Sequence, residues 1–139
     1  MLETLFVTTM FLAQMATHER PEVKIRTPAE MCELSGKPST CSDPNRGSFS
    51  HKDPYIINLR NDTDLTTLYG KGVLVHEIVH FLQLHTGKAS IPLRCPEYYF
   101  LEREALMIQT EYYAHNGYVY QALPAMLEAY ATKCWRVEK

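Results

Sequence analysis

The stretch Val73-Leu-Val-His-Glu-Ile-Val-His-Phe-Leu-Gln83 decides how the rest of the chain is interpreted. It is mostly apolar, which predicts a helix that packs into the core, and it is interrupted by His76, Glu77 and His80. On that helix His76 and His80 lie one turn apart on the same face and can bind one metal ion, with Glu77 beside them. Apolar neighbours favour the neutral, metal-binding imidazole. The stretch therefore predicts a metal centre, while two histidines on an ordinary helix are the alternative.

Length and composition predict one domain spanning residues 1–139. The chain is long enough to bury its own core, and its 45% hydrophobic and 22% charged residues are typical of a globular protein. The formal net charge of −2 gives no electrostatic reason to expect binding to nucleic acid or to an anionic membrane surface. The apolar run 2–16 lacks the basic start of a signal peptide and is too short to span a bilayer, so it predicts a packed helix.

The remaining patterns predict an α+β fold with a small sheet. Alternating and β-branched residues indicate strands at Glu22–Arg26 and Tyr55–Leu59. A loop or short helical turn is expected after the first strand, and Pro, Gly, Ser and Asn residues predict irregular structure over Pro28–Ser50. Apolar periodicity predicts three further helices, at about Lys71–His85, Glu97–His115 and Leu123–Thr132.

Four cysteines, Cys32, Cys41, Cys95 and Cys134, lack the spacing of a structural zinc site. Their even number and loop-like neighbours predict the disulfides Cys32–Cys41 and Cys95–Cys134, with four reduced thiols as the alternative. Disulfides would place the protein in the periplasm or outside the cell, with a signal peptide preceding this sequence. A cytoplasmic location stays open.

A hydrolytic zinc site needs a third protein ligand, because zinc usually takes three and leaves one position for water. One class of zinc hydrolases uses a third histidine downstream; His85 misses that position by one residue and would point roughly 140° away from His80 on a continuous helix. The next helix offers Glu102 and Glu104, which lie at comparable angles from its core stripe. Periodicity does not separate these two glutamates, and a further alternative is that both are solvated.

The pattern His76-Glu-Ile-Val-His80 followed by Glu102-Arg-Glu-Ala105 resembles the gluzincin zinc metallopeptidases, in particular their minimal single-domain members and small uncharacterised bacterial relatives. The resemblance covers about residues 55–113 and implies a zincin-like fold with one catalytic Zn²⁺. In several gluzincin branches the first glutamate of Glu-x-Glu-Ala binds the metal, which implies the ligand set His76, His80 and Glu102. Some branches place a supporting Asp four residues later, where this chain has Leu106.

The resemblance implies a zinc metalloendopeptidase that hydrolyses peptide bonds, with Glu77 as the general base and acid that moves the proton of the attacking water. The partner would be a peptide or protein substrate, aligned by an edge strand at Tyr55–Leu59, and we expect a monomer. The candidates to stabilise the oxyanion are His115 and five tyrosines, Tyr98, Tyr99, Tyr112, Tyr113 and Tyr118. The alternative is a zinc-bound domain that binds peptides but is inactive, or is self-inhibited by the segment after Gly117.

Overall fold

The described residues form an α+β fold, which confirms the predicted class. The computed structural model describes residues 1–42, 45–89, 94–119, 121 and 123–135, without the side chains of 130 and 133–135. Along the chain these residues form α1 (Leu2–Ala13), β1 (Glu22–Arg26), α2 (Pro28–Leu34), β2 (Gly47–Phe49), β3 (Ile56–Arg60), α3 (Leu68–His85), α4 (Glu97–His115) and α5 (Leu123–Trp135).

The helices and strands with long periodic patterns lie where the sequence predicts them. The bounds of β1 and α4 are those predicted, and α5 continues past its predicted end. Helix α3 begins before the predicted Lys71, because the Thr67 side chain caps it: its Oγ1 accepts the N–H of Gly70 at 3.0 Å. Gly87, with φ of 78°, follows the end of α3 in the left-handed conformation that suits glycine.

The strand predicted at Tyr55–Leu59 is confirmed as β3, but its predicted edge position is wrong, because β3 is the central strand of the sheet. The strand order is β1-β3-β2, with β1 parallel and β2 antiparallel to β3. Consecutive β3 residues, Ile57, Asn58 and Leu59, are all buried, as expected for a strand covered on both faces. The edge position beside α3 belongs instead to β2.

The segment predicted to be irregular, 28–50, contains both β2 and α2. Strand β2 has three residues, Gly47, Ser48 and Phe49, too few for a period-two pattern to be recognised. Helix α2 begins with a capping box, in which Thr27 Oγ1 accepts the N–H of Glu30 and the Glu30 carboxylate accepts the N–H of Thr27. That capping box is a sequence signal from which α2 was predictable.

Helix α3 lies at the centre of the core. It packs against α1, α4 and both β2 and β3, so it is buried on most of its circumference. The fully buried Phe81 ring makes edge contacts with Phe6, Phe49 and Tyr55 at centroid distances of 5.7, 5.9 and 6.4 Å. These contacts join α1 and the sheet to α3. The helix that carries both histidines is therefore held from several sides.

Helix α1 is the packed helix predicted for the apolar start of the chain. Leu5, Phe6, Thr9 and Ala13 are buried. Among the described helices, none combines the length and the hydropathy needed to cross a membrane.

One predicted disulfide is confirmed. Cys32 and Cys41 are bonded, with their Cα atoms 6.0 Å apart, and the bond ties the end of α2 to the loop before β2. Cys95 is also disulfide-bonded. The predicted Cys95–Cys134 pairing falls outside the described side chains, because that of Cys134 is not among them.

Candidate metal centre

Three side chains from two helices converge at the solvent-facing side of α3. His76 Nε2 lies 3.2 Å from His80 Nε2 and 3.2 Å from Glu102 Oε2, and His80 Nε2 lies 2.9 Å from Glu102 Oε1. Zinc bonds of about 2.0–2.1 Å at tetrahedral angles separate neighbouring ligand atoms by about 3.3 Å. The spacing of these atoms therefore fits three corners of a zinc coordination sphere, and the group could hold a metal ion.

The Gln83 amide fixes the orientation of His80. Its nitrogen donates to the carbonyl oxygen of Leu101 at 2.9 Å and to Glu104 Oε1 at 3.0 Å, both of which only accept. The amide oxygen is therefore the atom that lies 2.8 Å from His80 Nδ1, and Nδ1 carries the hydrogen. The Nε2 lone pair of neutral His80 consequently faces the convergence point.

A second amide fixes His76 in the same way. Gln109 Nε2 donates to the Tyr113 hydroxyl at 3.0 Å, and that hydroxyl donates to the carbonyl oxygen of Tyr69 at 3.4 Å. The Gln109 oxygen is then the atom 3.0 Å from His76 Nδ1, which makes Nδ1 the donor. Gly72 leaves space for this series of hydrogen bonds, because a Cβ atom at position 72 would collide with the Tyr113 hydroxyl.

The consequence is a cluster of acceptors that lacks its own donor. With Nδ1 protonated on both neutral imidazoles, two Nε2 lone pairs and the Glu102 carboxylate point at one another. Such a cluster needs a cation, either a metal ion or a proton. The side chains thus fit a metal by their donor atoms as well as by their spacing.

A proton can take that position in the metal-free protein. Burial alone lowers the pKa of His80, but the hydrogen bond and charge of Glu102 outweigh it and raise this pKa to about 9. Burial likewise raises the pKa of Glu102, and its interactions with the His76 and His80 rings outweigh that effect, holding this pKa well below its ordinary value.

Glu77 lies beside the converging group without belonging to it. Only 8% of its surface is exposed, and this burial raises its pKa against the lowering effect of the His76 and His80 charges, while the Glu102 carboxylate adds to the rise. Strand β2 passes directly over Glu77: a Cβ atom at Gly47 would lie 2.8 Å from Glu77 Cγ and 3.1 Å from its Oε2. The position of this carboxylate therefore depends on a glycine at 47.

The alternative ligands suggested by the sequence lie elsewhere. Glu104 accepts hydrogen bonds from Gln83 Nε2 and, at 2.6 Å, from Lys88 Nζ. His85 donates from Nε2 to the carbonyl oxygen of Pro54 at 2.5 Å and packs against the Phe81 ring. Neither of the two reaches the converging group. Glu102, with 13% of its side chain exposed, is also not the solvated residue of the alternative interpretation.

An open cleft of about 420 Å³ lies over these side chains. Its wall is β2 with Asn45 and Arg46, and the rest of its lining comes from Tyr69 and Val73 of α3, Tyr98 and Gln109 of α4 and Met126 of α5. Among the tyrosines that the sequence left open as oxyanion donors, Tyr98 lines this cleft, whereas Tyr113 supports Gln109. Burial, together with the charges of Glu102 and Glu77, raises the pKa of Tyr98 to about 12.

Sequence reasoning missed the two amides and the β2 wall. Gln83 and Gln109 are polar residues on otherwise apolar stripes, and both are buried. A buried amide needs hydrogen-bond partners, so its place on a core-facing stripe was an available signal. Arg46 and Gly47 carried no comparable signal, because they lie in a segment without periodicity.

Comparisons of the chain with protein-family models, with curated proteins and with solved structures found no match. The side chains of the cleft are therefore the basis on which a function can be inferred.

Proposed function

We propose that this protein is a zinc-dependent metalloendopeptidase with a zincin-like fold of gluzincin type. The observation that supports this proposal most strongly is the acceptor cluster of His76, His80 and Glu102, with the buried Glu77 beside it on the floor of an open cleft. The combination of a metal-binding triad and an adjacent carboxylate is what metal-assisted hydrolysis requires.

His76 Nε2, His80 Nε2 and one oxygen of Glu102 would hold the zinc ion. When bound, zinc supplies a Lewis acid that makes water more acidic and polarises a substrate carbonyl. Gln83 and Gln109 keep both imidazoles in the ligating tautomer, the role that supporting carboxylates or carbonyls have in many metal sites.

Glu77 would act on the proton of the attacking water. Its carboxylate takes the proton as the water oxygen bonds to the carbonyl carbon, and returns it to the amine nitrogen as the C–N bond breaks. The raised pKa of Glu77 suits a group that must both accept and release a proton. Tyr98 stays protonated at neutral pH, because its pKa is about 12, and can donate a hydrogen bond to the oxyanion.

We assign to β2 the substrate-aligning role that the resemblance implies for residues 55–59. The N–H of Arg60 donates to the carbonyl oxygen of Arg46 at 2.8 Å, and β2 and β3 continue in the register Gly47↔Leu59 and Ser48↔Asn58. Hydrogen-bonded and non-hydrogen-bonded pairs alternate along an antiparallel ladder. The backbone groups of Gly47 therefore point away from β3 and are placed to pair with an extended peptide.

Zinc content and peptide cleavage together test the proposal. Protein purified without chelators should contain about one zinc per chain, and it should cleave a mixed peptide library. The Glu77→Gln variant should keep its zinc and lose about 10³-fold in rate, within the range for removing a general base. The proposed function would be excluded if the purified protein contained no more than a trace of zinc. It would also be excluded if the wild-type and Glu77→Gln proteins cleaved the library equally.

A second candidate function is a zinc-bound domain that α5 inhibits. Met126 of α5 contributes to the cleft wall, so this helix is close to where a substrate would lie. If α5 blocks the cleft, Met126→Ala should increase the rate of peptide cleavage severalfold. A lower rate would instead mean that Met126 forms part of the substrate-binding wall, and an unchanged rate would mean that Met126 does not inhibit cleavage.

We also propose a periplasmic or secreted location. The Cys32–Cys41 disulfide supports it, because such bonds persist in oxidising compartments. Fractionation of cells that produce the native gene product, with immunodetection of the chain, would test this.

A further inference from the structure

Arg46 is the one Lys or Arg side chain among the described residues that line the cleft. It directly precedes Gly47, which lies against Glu77. Its guanidinium carbon lies 5.5 Å from the centroid of the Tyr69 ring, and 40% of its side chain is exposed. A cation is thus held over an aromatic face at the mouth of the cleft while still being accessible from it.

Among the described residues, Arg46 makes a long ion pair with Asp62. Asp62, a carboxylate near Arg46, makes two short contacts with Arg60, from Nε to Oδ1 at 2.5 Å and from Nη2 to Oδ2 at 3.0 Å. Arg46 Nη1 reaches Asp62 Oδ2 only at 3.6 Å. Arg60 is also the more buried cation, with 13% of its side chain exposed. Of the two guanidinium groups near Asp62, that of Arg46 therefore has the longer contact and the greater exposure.

The direction of β2 tells which part of a substrate would meet this charge. The strand runs from Gly47, above Glu77, to Phe49, and Arg46 lies before its start. A peptide that pairs antiparallel with β2, the more frequent and slightly more stable arrangement, runs towards Arg46. Residues that follow the scissile bond would therefore approach the guanidinium.

We propose that Arg46 binds a carboxylate of the substrate on the C-terminal side of the scissile bond, an inference that rests on the proposed peptidase function. The guanidinium fork matches a carboxylate in geometry as well as in charge. Two sources supply this chemistry: the free C-terminal carboxylate of a short peptide, and an Asp or Glu side chain. Arg46 would thus be a specificity-determining residue.

Binding can be measured separately from cleavage. Zinc-loaded Glu77→Gln protein is incubated with three synthetic peptide pools of matched composition: one with free C-terminal carboxylates, one amidated, and one amidated with an added Asp. Bound peptides are quantified by mass spectrometry. A charge-assisted contact at a partly exposed site should favour a carboxylate pool over the plain amidated pool by about tenfold. The pool that is enriched identifies the source of the carboxylate.

Variants in the Glu77→Gln background test whether Arg46 causes the preference. Arg46→Ala should abolish it, and Arg46→Lys should keep only part of it, because lysine retains the charge and loses the fork. Lys37→Ala removes one charge from an exposed position outside the cleft lining and should leave the preference unchanged. Thermal unfolding checks that each variant is folded.

Equal retention of all three pools, no retention of any pool, or a preference that survives Arg46→Ala would overturn the assignment. None of these results depends on cleavage by the wild-type protein. Wild-type cleavage of a peptide library combined with equal retention would leave the peptidase proposal standing without a role for Arg46. A carboxylate preference without wild-type cleavage would support Arg46 and exclude the peptidase.

Discussion

The floor and the wall of the cleft are built by different means. The floor consists of α3 and α4, where buried apolar positions fix each helix and hydrogen-bonded amides fix each histidine. The wall is β2, a three-residue strand that contributes backbone groups, a glycine and the adjacent Arg46. Under the proposed function this difference is a division of labour, in which the floor would hold the metal and the base while the wall would position and select the substrate.

The largest expected effect separates the two glutamates of α4. Glu102→Ala removes a proposed ligand. It should lower zinc affinity by more than about 100-fold, the upper limit typical of residues that only support a metal ligand. Glu104→Ala is the matched control, because Glu104 contacts Gln83 and Lys88 and not the histidines. It should lower zinc affinity by about tenfold at most. Competition with a chromogenic chelator measures both, and a larger loss from Glu104→Ala would mean that the proposed third ligand is wrong.

The next prediction concerns the contact between wall and floor. Gly47→Ala places a methyl group 2.8 Å from Glu77 Cγ, so either the carboxylate or β2 must move. Small displacements of a reacting group can cost about 100-fold in rate, and we expect that loss in kcat with unchanged zinc content. Ser48→Ala, on the neighbouring β2 residue, is the control. Equal activity of Gly47→Ala and wild type would show that the base tolerates the contact.

Within the floor, the supporting amides should matter less than the ligands. Gln83→Leu and Gln109→Leu remove the acceptor for Nδ1 of His80 and His76, and each should weaken zinc binding by about 10- to 100-fold. Gln109→Glu supplies a carboxylate acceptor for His76 and should restore much of the affinity. Gln83→Glu should not, because its carboxylate would face the Glu104 carboxylate and the Leu101 carbonyl oxygen. If Gln109→Leu and Gln109→Glu behave alike, the effect is one of packing and not of histidine orientation.

The same division explains what could be predicted from the sequence. Helices α3 and α4 can be predicted from their apolar stripes. The same stripes also determine the helix faces on which His76, His80 and Glu102 lie. Periodicity alone places Glu102 and Glu104 at similar angles from the core stripe of α4. The structure distinguishes them, because Gln83 and Lys88, from another part of the chain, donate hydrogen bonds to Glu104.

Strand β2 could not be predicted in this way. Three residues contain no period, and the identity of an edge strand depends on pairing between segments that are distant in sequence. For the same reason β3 was mistaken for the edge, since its apolar residues indicate burial without specifying its neighbours.

The last prediction concerns a proton linkage within the floor. In the metal-free protein the pKa of His80 is about 9, so His80 carries a second proton at pH 7.5 that zinc must displace. Zinc binding at pH 7.5 should therefore release about one proton, and the apparent affinity should rise about tenfold per pH unit between about pH 7 and 9 before levelling off. Titration calorimetry in buffers of different ionisation enthalpy counts the released protons.

The stability of the metal-free protein should change in the opposite direction over that range. The pKa of His80 is raised above its ordinary value of about 6.5, so protonated His80 stabilises the fold fully below pH 6.5. This contribution is lost as the pH rises through about 9. The lowered pKa of Glu102 contributes only above its ordinary value of about 4.5 and is lost on acidification. Melting temperatures should thus fall between pH 6.5 and 9 without zinc, and the His80→Gln variant should lack this fall. A flat zinc affinity from pH 7 to 9 would mean that the cluster does not hold the proton, and that its acceptors are separated in the metal-free protein.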